Sequence, residues 1–192
     1  MFFEPVSAAK APRVAPFLKR ITFLSPNAAE CAAIAEAVPQ AAGSDASASA
    51  ARLAAAGVPN VILTQGSAGV ALYGSPLGSE GAKAQGALVP VRLPAVPVAE
   101  SVLARGNVNG AGDCLVAGML AWFATAEPFL TSHGSEVRGK DPHVLKAVAF
   151  GIAVASRAVS CASNVPPAHA LSDPALRRDA CDVLARTSHP PR

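Results

Sequence analysis

The run Gly106-Asn107-Val108-Asn109-Gly110-Ala111-Gly112-Asp113-Cys114-Leu115 carries the densest chemistry of the chain. Two glycines and an alanine lead into one aspartate, and an uncharged apolar segment, Cys114 to Thr125, follows at once. Small residues let the backbone close on a ligand, and the first turn of a helix presents unpaired N–H groups to an anion. In one use, those amides neutralise charge developing on a transferred phosphoryl group while Asp113 takes the proton from an attacking hydroxyl. In the other, Asp113 is a favourable first-turn carboxylate of an ordinary helix. The run by itself supports both.

Two more stretches are similarly double. In Asn27-Ala28-Ala29-Glu30, Asn27 can cap a helix with Glu30 reaching back to it. The same polar pair could instead stand beside a magnesium–phosphate centre, as oxygen ligands or through bound waters. Thr64-Gln65-Gly66-Ser67-Ala68-Gly69 follows a strand-like run. It reads as a hairpin turn, or as a glycine turn whose amides lie along a phosphate chain. Other leads close. Gly134 to Asp141 has GxxxxGK spacing, but Asp141 replaces the magnesium-binding hydroxyl and Pro142 follows. Leu115 occupies the third glycine position of a dinucleotide fingerprint begun at Gly110. His133, His143, His169 and His189 lie at no metal-binding spacing.

The elements that must position these residues follow from apolar runs and their punctuation. Phe2 to Val6 ends a strand at Pro5 and Ser7, and a polar, Pro-marked segment runs to Arg20. Ile21–Leu24 is a short buried strand, then Ala28–Val38 a helix. A loop from Gly43 to Ser49 precedes a helix over Ala48–Ala56, closed by Gly57. Val61–Thr64 and Val70–Tyr73 form a hairpin about Gly66 and Gly69, and residues 74 to 87 are loop. Leu88 to Val98 is extended and Pro-interrupted, hence an edge strand or connector. After the helix Cys114–Thr125, Glu127 to Pro142 is irregular. Val144–Ser160 is a long apolar helix, Pro174–Ala185 a shorter one, and 186–192 a fraying tail. Strands alternating with helices predict an α/β fold with a partly parallel sheet between two helix layers.

Composition narrows the class. The 192 residues suit one domain spanning 1–192; 51% are hydrophobic and 15% charged, which excludes a disordered chain. A net charge of +3 with 5% aromatics excludes a nucleic-acid-binding stripe. Cys31, Cys114, Cys161 and Cys181 form no CxxC pair, so reduced thiols are expected, in a cytoplasmic or organelle stroma or matrix setting. Met1-Phe2-Phe3 runs straight into Glu4-Pro5, so no secretory signal is expected. Ala111–Ala126 and Ala147–Ala162 contain Asp113 and Arg157 and are shorter than a spanning helix needs, so core helices and no membrane partner are expected.

Taken together, Pro26-Asn27-Ala28-Ala29-Glu30, Leu63 to Val70 and Asn109-Gly110-Ala111-Gly112-Asp113 resemble the C-terminal half of the ribokinase-like, or PfkB, family of carbohydrate and nucleoside kinases. The last stretch is close to that family's second signature, and the resemblance covers nearly the whole chain. Phe3-Glu4-Pro5-Val6-Ser7 followed by Lys10 is similar to a segment of pseudouridine kinases. The resemblance implies a three-layer α/β/α fold and ATP-dependent phosphorylation of a hydroxymethyl group on a sugar or nucleoside, pseudouridine favoured. It makes Asp113 the general base and Gly110, Ala111 and Gly112 the anion hole. Asn27 and Glu30 would organise Mg2+ and phosphate, Asn27 through water. Thr64, Gly66 and Gly69 would line ATP, and the helix near Phe150 and Gly151 would pass beside the adenine.

The chain also departs from that pattern. Relatives are longer, and the N-terminal portion with the first glycine signature, most substrate contacts, the lid and several strands has no counterpart here. The approach Ala99 to Arg105 is longer than usual. Asn107 stands where many relatives carry an aspartate near a monovalent-cation site, which leaves K+ dependence open. A sheet without those strands has an unpaired edge and apolar faces. A missing N-terminal segment or a partner chain is therefore expected to complete it, and the chain alone is expected to phosphorylate poorly or not at all. The alternative is an inactive nucleotide-binding or interaction fragment without the substrate half. A nicotinamide-binding module is more distant, disfavoured by Leu115.

Overall fold

Strand β1 (Phe2–Phe3) pairs in parallel with β2 (Phe23–Leu24), which pairs in parallel with β3 (Asn60–Thr64). Strand β4 (Val70–Tyr73) runs antiparallel to β3, with Ile62 opposite Leu72, and β5 (Val91–Leu93) completes the order β1-β2-β3-β4-β5. This computed structural model describes residues 1–39, 43–74, 90–103, 108–125, 141–161, 165–166 and 173–187. It divides into two units: Met1–Gln65 with Val70–Arg92, and Gly66–Gly69 with Leu93–Thr187. The loop expected over 74–87 and the irregular segment from Glu127 fall almost wholly outside the described residues, as do Gly106 and Asn107.

The first unit is built on β3, whose Val61, Ile62 and Leu63 are wholly buried although successive side chains face opposite ways. On one face, Val61, Leu63, Ala71 and Tyr73 join Leu24 in a core with helix α1 (Ala28–Glu36) and helix α2 (Ala46–Ala55). Cys31, Ile34 and Ala35 come from α1, and Ala50, Leu53 and Ala54 from α2. Asp45 starts α2 by accepting the Ala48 N–H at 2.8 Å, two residues earlier than the alanine run suggests. Gly57, at φ 112°, turns the chain out of it.

Two expectations change here. The Pro-marked segment to Arg20, given no element from sequence, holds a 3-10 helix over Ala11–Arg20. Proline at its start and Pro16 inside it supply no N–H, which breaks an α ladder but leaves shorter-range bonds such as Ile21 N–H to Leu18 O at 3.0 Å. Ala11, Val14 and Leu18 share its buried side. The strand expected over Ile21–Leu24 shrinks to Phe23–Leu24, because Ile21 closes the 3-10 helix.

In the second unit, α3 (Glu100–Leu103) lies within the long approach to the glycine run, followed by α4 (Ala111–Thr125), α5 (Pro142–Val159) and α6 (Pro174–Ala185). Aspartates cap the last two: Asp141 accepts the His143 N–H and Asp173 the Ala175 N–H, each at 2.8 Å. Helix α5 is the unit's centre, with Leu145, Ala147, Val148, Ala149 and Ala153 wholly buried. At 18 residues with mean hydropathy 1.2 it is longer than expected and matches a membrane span by length and composition, yet 56% of it is buried inside the protein. Arg157 on α5 and Asp179 on α6 form an ion pair at 2.6 Å. Arg186 and Thr187, expected to fray, are held: Thr187 Oγ1 donates to Val183 O at 2.9 Å and Arg186 Nε to Asp182 O at 3.2 Å.

Candidate active site

Asn27, Glu30 and Thr64 come together in the first unit. The turn from β2 into α1 delivers Asn27, whose Oδ1 accepts the Glu30 N–H at 3.0 Å. Glu30 Oε2 in return accepts the Asn27 N–H at 2.9 Å, so the capping box is fully formed. Thr64 ends β3 beside it: its N–H donates to Pro26 O at 2.9 Å, and it bridges in parallel with Asn27. Glu30 is buried (6% exposed) while Asn27 is exposed. A magnesium-organising role therefore has to share these atoms with the cap. One Glu30 oxygen is committed to backbone, so the pair fits water-mediated contact with a hydrated Mg2+. Asn27 has its side-chain N–H2 to offer a phosphate or a water.

The Gly66–Gly69 segment belongs to the second unit. Gly66 and Gly69 both take left-handed conformations, φ 58° and 89°, and Gly69 N–H closes the turn on Gly66 O at 3.0 Å. A Cβ on Gly66 would meet open space, so that backbone is approachable. One on Gly69 would run into the Leu93 carbonyl and the backbone of Pro94 and Ala95. Gly69 is therefore required by packing whatever else it does.

Helix α4 begins three residues earlier than its apolar run, at Ala111, which places Gly112 and Asp113 in its first turn. Gly110 leads in with φ 80°, and its carbonyl accepts the Cys114 N–H at 2.9 Å. The Ala111 N–H is already directed to Val108 O at 3.3 Å. Among the described residues, Gly112 and Asp113 are the first-turn amides for which no backbone acceptor is found, the arrangement that holds an anion. Asp113 itself is exposed, and Cys114 and Leu115 behind it are buried.

Gly151, on the helix expected to pass beside adenine, lies at a close helix crossing. It is buried on α5, and a Cβ there would stand 2.6 Å from the Leu115 carbonyl and 3.0 Å from Met119 Cγ. Its partner in this close crossing, Gly118, was not singled out by sequence. Trp122 and Phe150 meet at the same helix pair, ring centroids 5.8 Å apart. Among the described residues, no three His, Cys, Asp or Glu side chains gather as a metal site. All four cysteines are free thiols, and burial pushes the Cys31 thiol up to about 12.

A mixed five-stranded sheet with helices defines an α/β protein. The chain matches the profile of the pfkB family carbohydrate kinases over residues 2–170 and belongs to that family. Solved structures share its ribokinase-like fold. They include adenosine kinase from Sinorhizobium meliloti (18% identity, TM-score 0.59, covering 91% of this chain and 43% of that one). Ribokinase from Thermotoga maritima gives 20% identity and a TM-score of 0.58, over 85% and 44%. Arabidopsis thaliana ribokinase complexed with ribose and ATP gives 21% and 0.53, over 88% and 43%. The chain spans less than half the length of these structures. No curated protein matches it by sequence.

Proposed function

We propose that the chain supplies the nucleotide and phosphoryl-transfer side of an ATP-dependent kinase acting on a hydroxymethyl group of a sugar or nucleoside. The observation that carries this reading is the start of α4: a left-handed Gly110, open first-turn amides at Gly112 and Asp113, and an exposed Asp113 carboxylate. Asp113 takes the proton of the attacking hydroxyl, and the Gly112 and Asp113 amides meet charge on the transferred group. Gly110 shapes that anion hole through its conformation, and Ala111 by its small size. Asn27 and Glu30 order phosphate and the water shell of Mg2+, and Thr64, Gly66 and Gly69 line the nucleotide. When bound, Mg2+ supplies charge neutralisation between the phosphates. Pseudouridine is the favoured acceptor, on the strength of Phe3-Glu4-Pro5-Val6-Ser7 and Lys10. A missing segment or partner chain completes the acceptor side, and four free thiols suit a reducing cytoplasm, stroma or matrix.

The test is transfer of the ATP γ-phosphate to ribose, adenosine or pseudouridine, with wild type and Asp113→Asn in parallel. Expected for the isolated chain is MgATP binding with slow transfer, abolished in Asp113→Asn while binding survives. Absence of MgATP binding sinks the proposal. Binding without transfer favours an inactive nucleotide-binding module. The chain's coverage of less than half of its relatives keeps that second reading in view.

A further inference from the structure

Just past its first turn, at Leu115 and Gly118, α4 is seated on α5 through a contact that tolerates no side chain. A Cβ on Gly151 would come within 2.6 Å of the Leu115 carbonyl, and one on Gly118 within 2.9 Å of both Gly151 Cα and Val154 Cγ2. Real Cβ contacts essentially never fall under 3.0 Å, so either substitution forces something to move. At Gly151 the obstacle is backbone, and that backbone belongs to Leu115, two residues after Asp113 in the same helix. Helices are stiff, so the least costly relief is for α4 to lift or tilt by about half an ångström, carrying the Gly112 amide and Asp113 with it. A misplacement of about 1 Å in a phosphoryl-transfer geometry costs on the order of a hundredfold in rate.

We infer that Gly118 and Gly151 are positioning residues for phosphoryl transfer: by letting α4 seat directly on α5, they set where Asp113 and the first-turn amides stand. This rests on the function proposed above. It also replaces a direct role of Gly151 beside the nucleotide with an indirect one through Leu115.

The experiment uses the full chain, with the melting temperature and the MgATP dissociation constant measured on the same preparations. Gly151→Ala and Gly118→Ala are compared with Leu176→Ala, a cavity in the wholly buried side of α6. Expected is an affinity loss of about tenfold in folded Gly151→Ala, with Leu176→Ala lowering the melting temperature but keeping wild-type affinity. Adding Val154→Ala to Gly118→Ala should recover part of its loss, because one of its two obstacles is a removable side chain. If Gly151→Ala does not fold, the Gly118→Ala pair decides alone. Folded glycine variants with wild-type affinity overturn the inference and leave the proposed function standing. So does an equal affinity loss in Leu176→Ala, since general loosening would then suffice. A wild type that binds no MgATP removes the proposed function first, and this inference with it.

Discussion

At the scale of single residues, Asn27 and Glu30 build a cap from the same atoms that the proposed site would use. Their reciprocal bonds, 2.9 and 3.0 Å, account for the stability of α1's start without any ligand. Asn27→Ala should therefore cost about 1 kcal/mol, the usual worth of an N-cap, read from chemical denaturation. Asn27→Asp separates the two uses. Aspartate caps as well as asparagine, so stability should hold within about 0.5 kcal/mol. A second carboxylate facing a triphosphate should still weaken MgATP several-fold. Unchanged affinity would leave Asn27 as a cap alone. Cys31 yields a pH dependence. Its thiol, wholly buried in the core with Sγ donating to Ala46 O at 3.6 Å, is pushed by desolvation from 9.0 to about 12. Above pH 9 the unfolded chain loses a proton that the folded chain keeps, so stability should fall as pH rises from 9 towards 12. The slope is at most about 1.4 kcal/mol per unit for this group. Denaturation series at pH 8, 9 and 10 check it, and Cys31→Ala should flatten that fall. A slope unaltered in Cys31→Ala would assign it elsewhere.

Among the elements, the turn between β3 and β4 separates a conformational demand from a packing demand. Gly66 and Gly69 both hold positive φ, which costs a residue with a Cβ roughly 1–2 kcal/mol. Only Gly69 also abuts backbone, that of Leu93 to Ala95. Gly66→Ala should cost about 1 kcal/mol and Gly69→Ala at least twice that, measured by urea denaturation; equal costs would show that the Leu93–Ala95 segment yields freely. How much of each element was legible depended on the range of the forces forming it. Helix α6 matched the Pro174–Ala185 expectation residue for residue, because Asp173 and Pro174 mark its start within one turn. The hairpin was legible from Gly66 and Gly69. The 3-10 helix was missed because its prolines read as breakers, although Ala11, Val14 and Leu18 already carried a helical spacing. In the site, the order Asn27–Glu30, Thr64–Gly69, Gly110–Asp113 was legible, while the commitment of the Ala111 amide to Val108 was not.

For the whole molecule, α4 is unusual in being apolar all round past Asp113. Cys114, Leu115, Gly118, Met119 and Trp122 are buried, and Ala117, Leu120 and Ala121 on other sides are exposed. A helix apolar on every side is ordinarily covered on every side. With Leu120 48% exposed, Leu120→Glu should cost under about 0.5 kcal/mol and lower the binding of a hydrophobic dye. A loss above about 2 kcal/mol would show that the face is covered in solution. The exposure accords with a chain spanning less than half of its structural relatives.

By itself the sequence determined much of what is decided within a few residues: most of the helices and strands, the asparagine cap of α1, the two glycine turns, and the motif order that marks the family. Such features arise from contacts three or four positions apart, which a pattern records directly. Tertiary structure decided the rest. It placed β1 beside β2, buried Cys31 deeply enough to raise its thiol, and set Gly151 against the carbonyl of Leu115. Those outcomes depend on which surfaces meet. Apolar spacing says that a face is buried without saying what lies against it, so the seat of Gly151 against Leu115 in α4 was not legible.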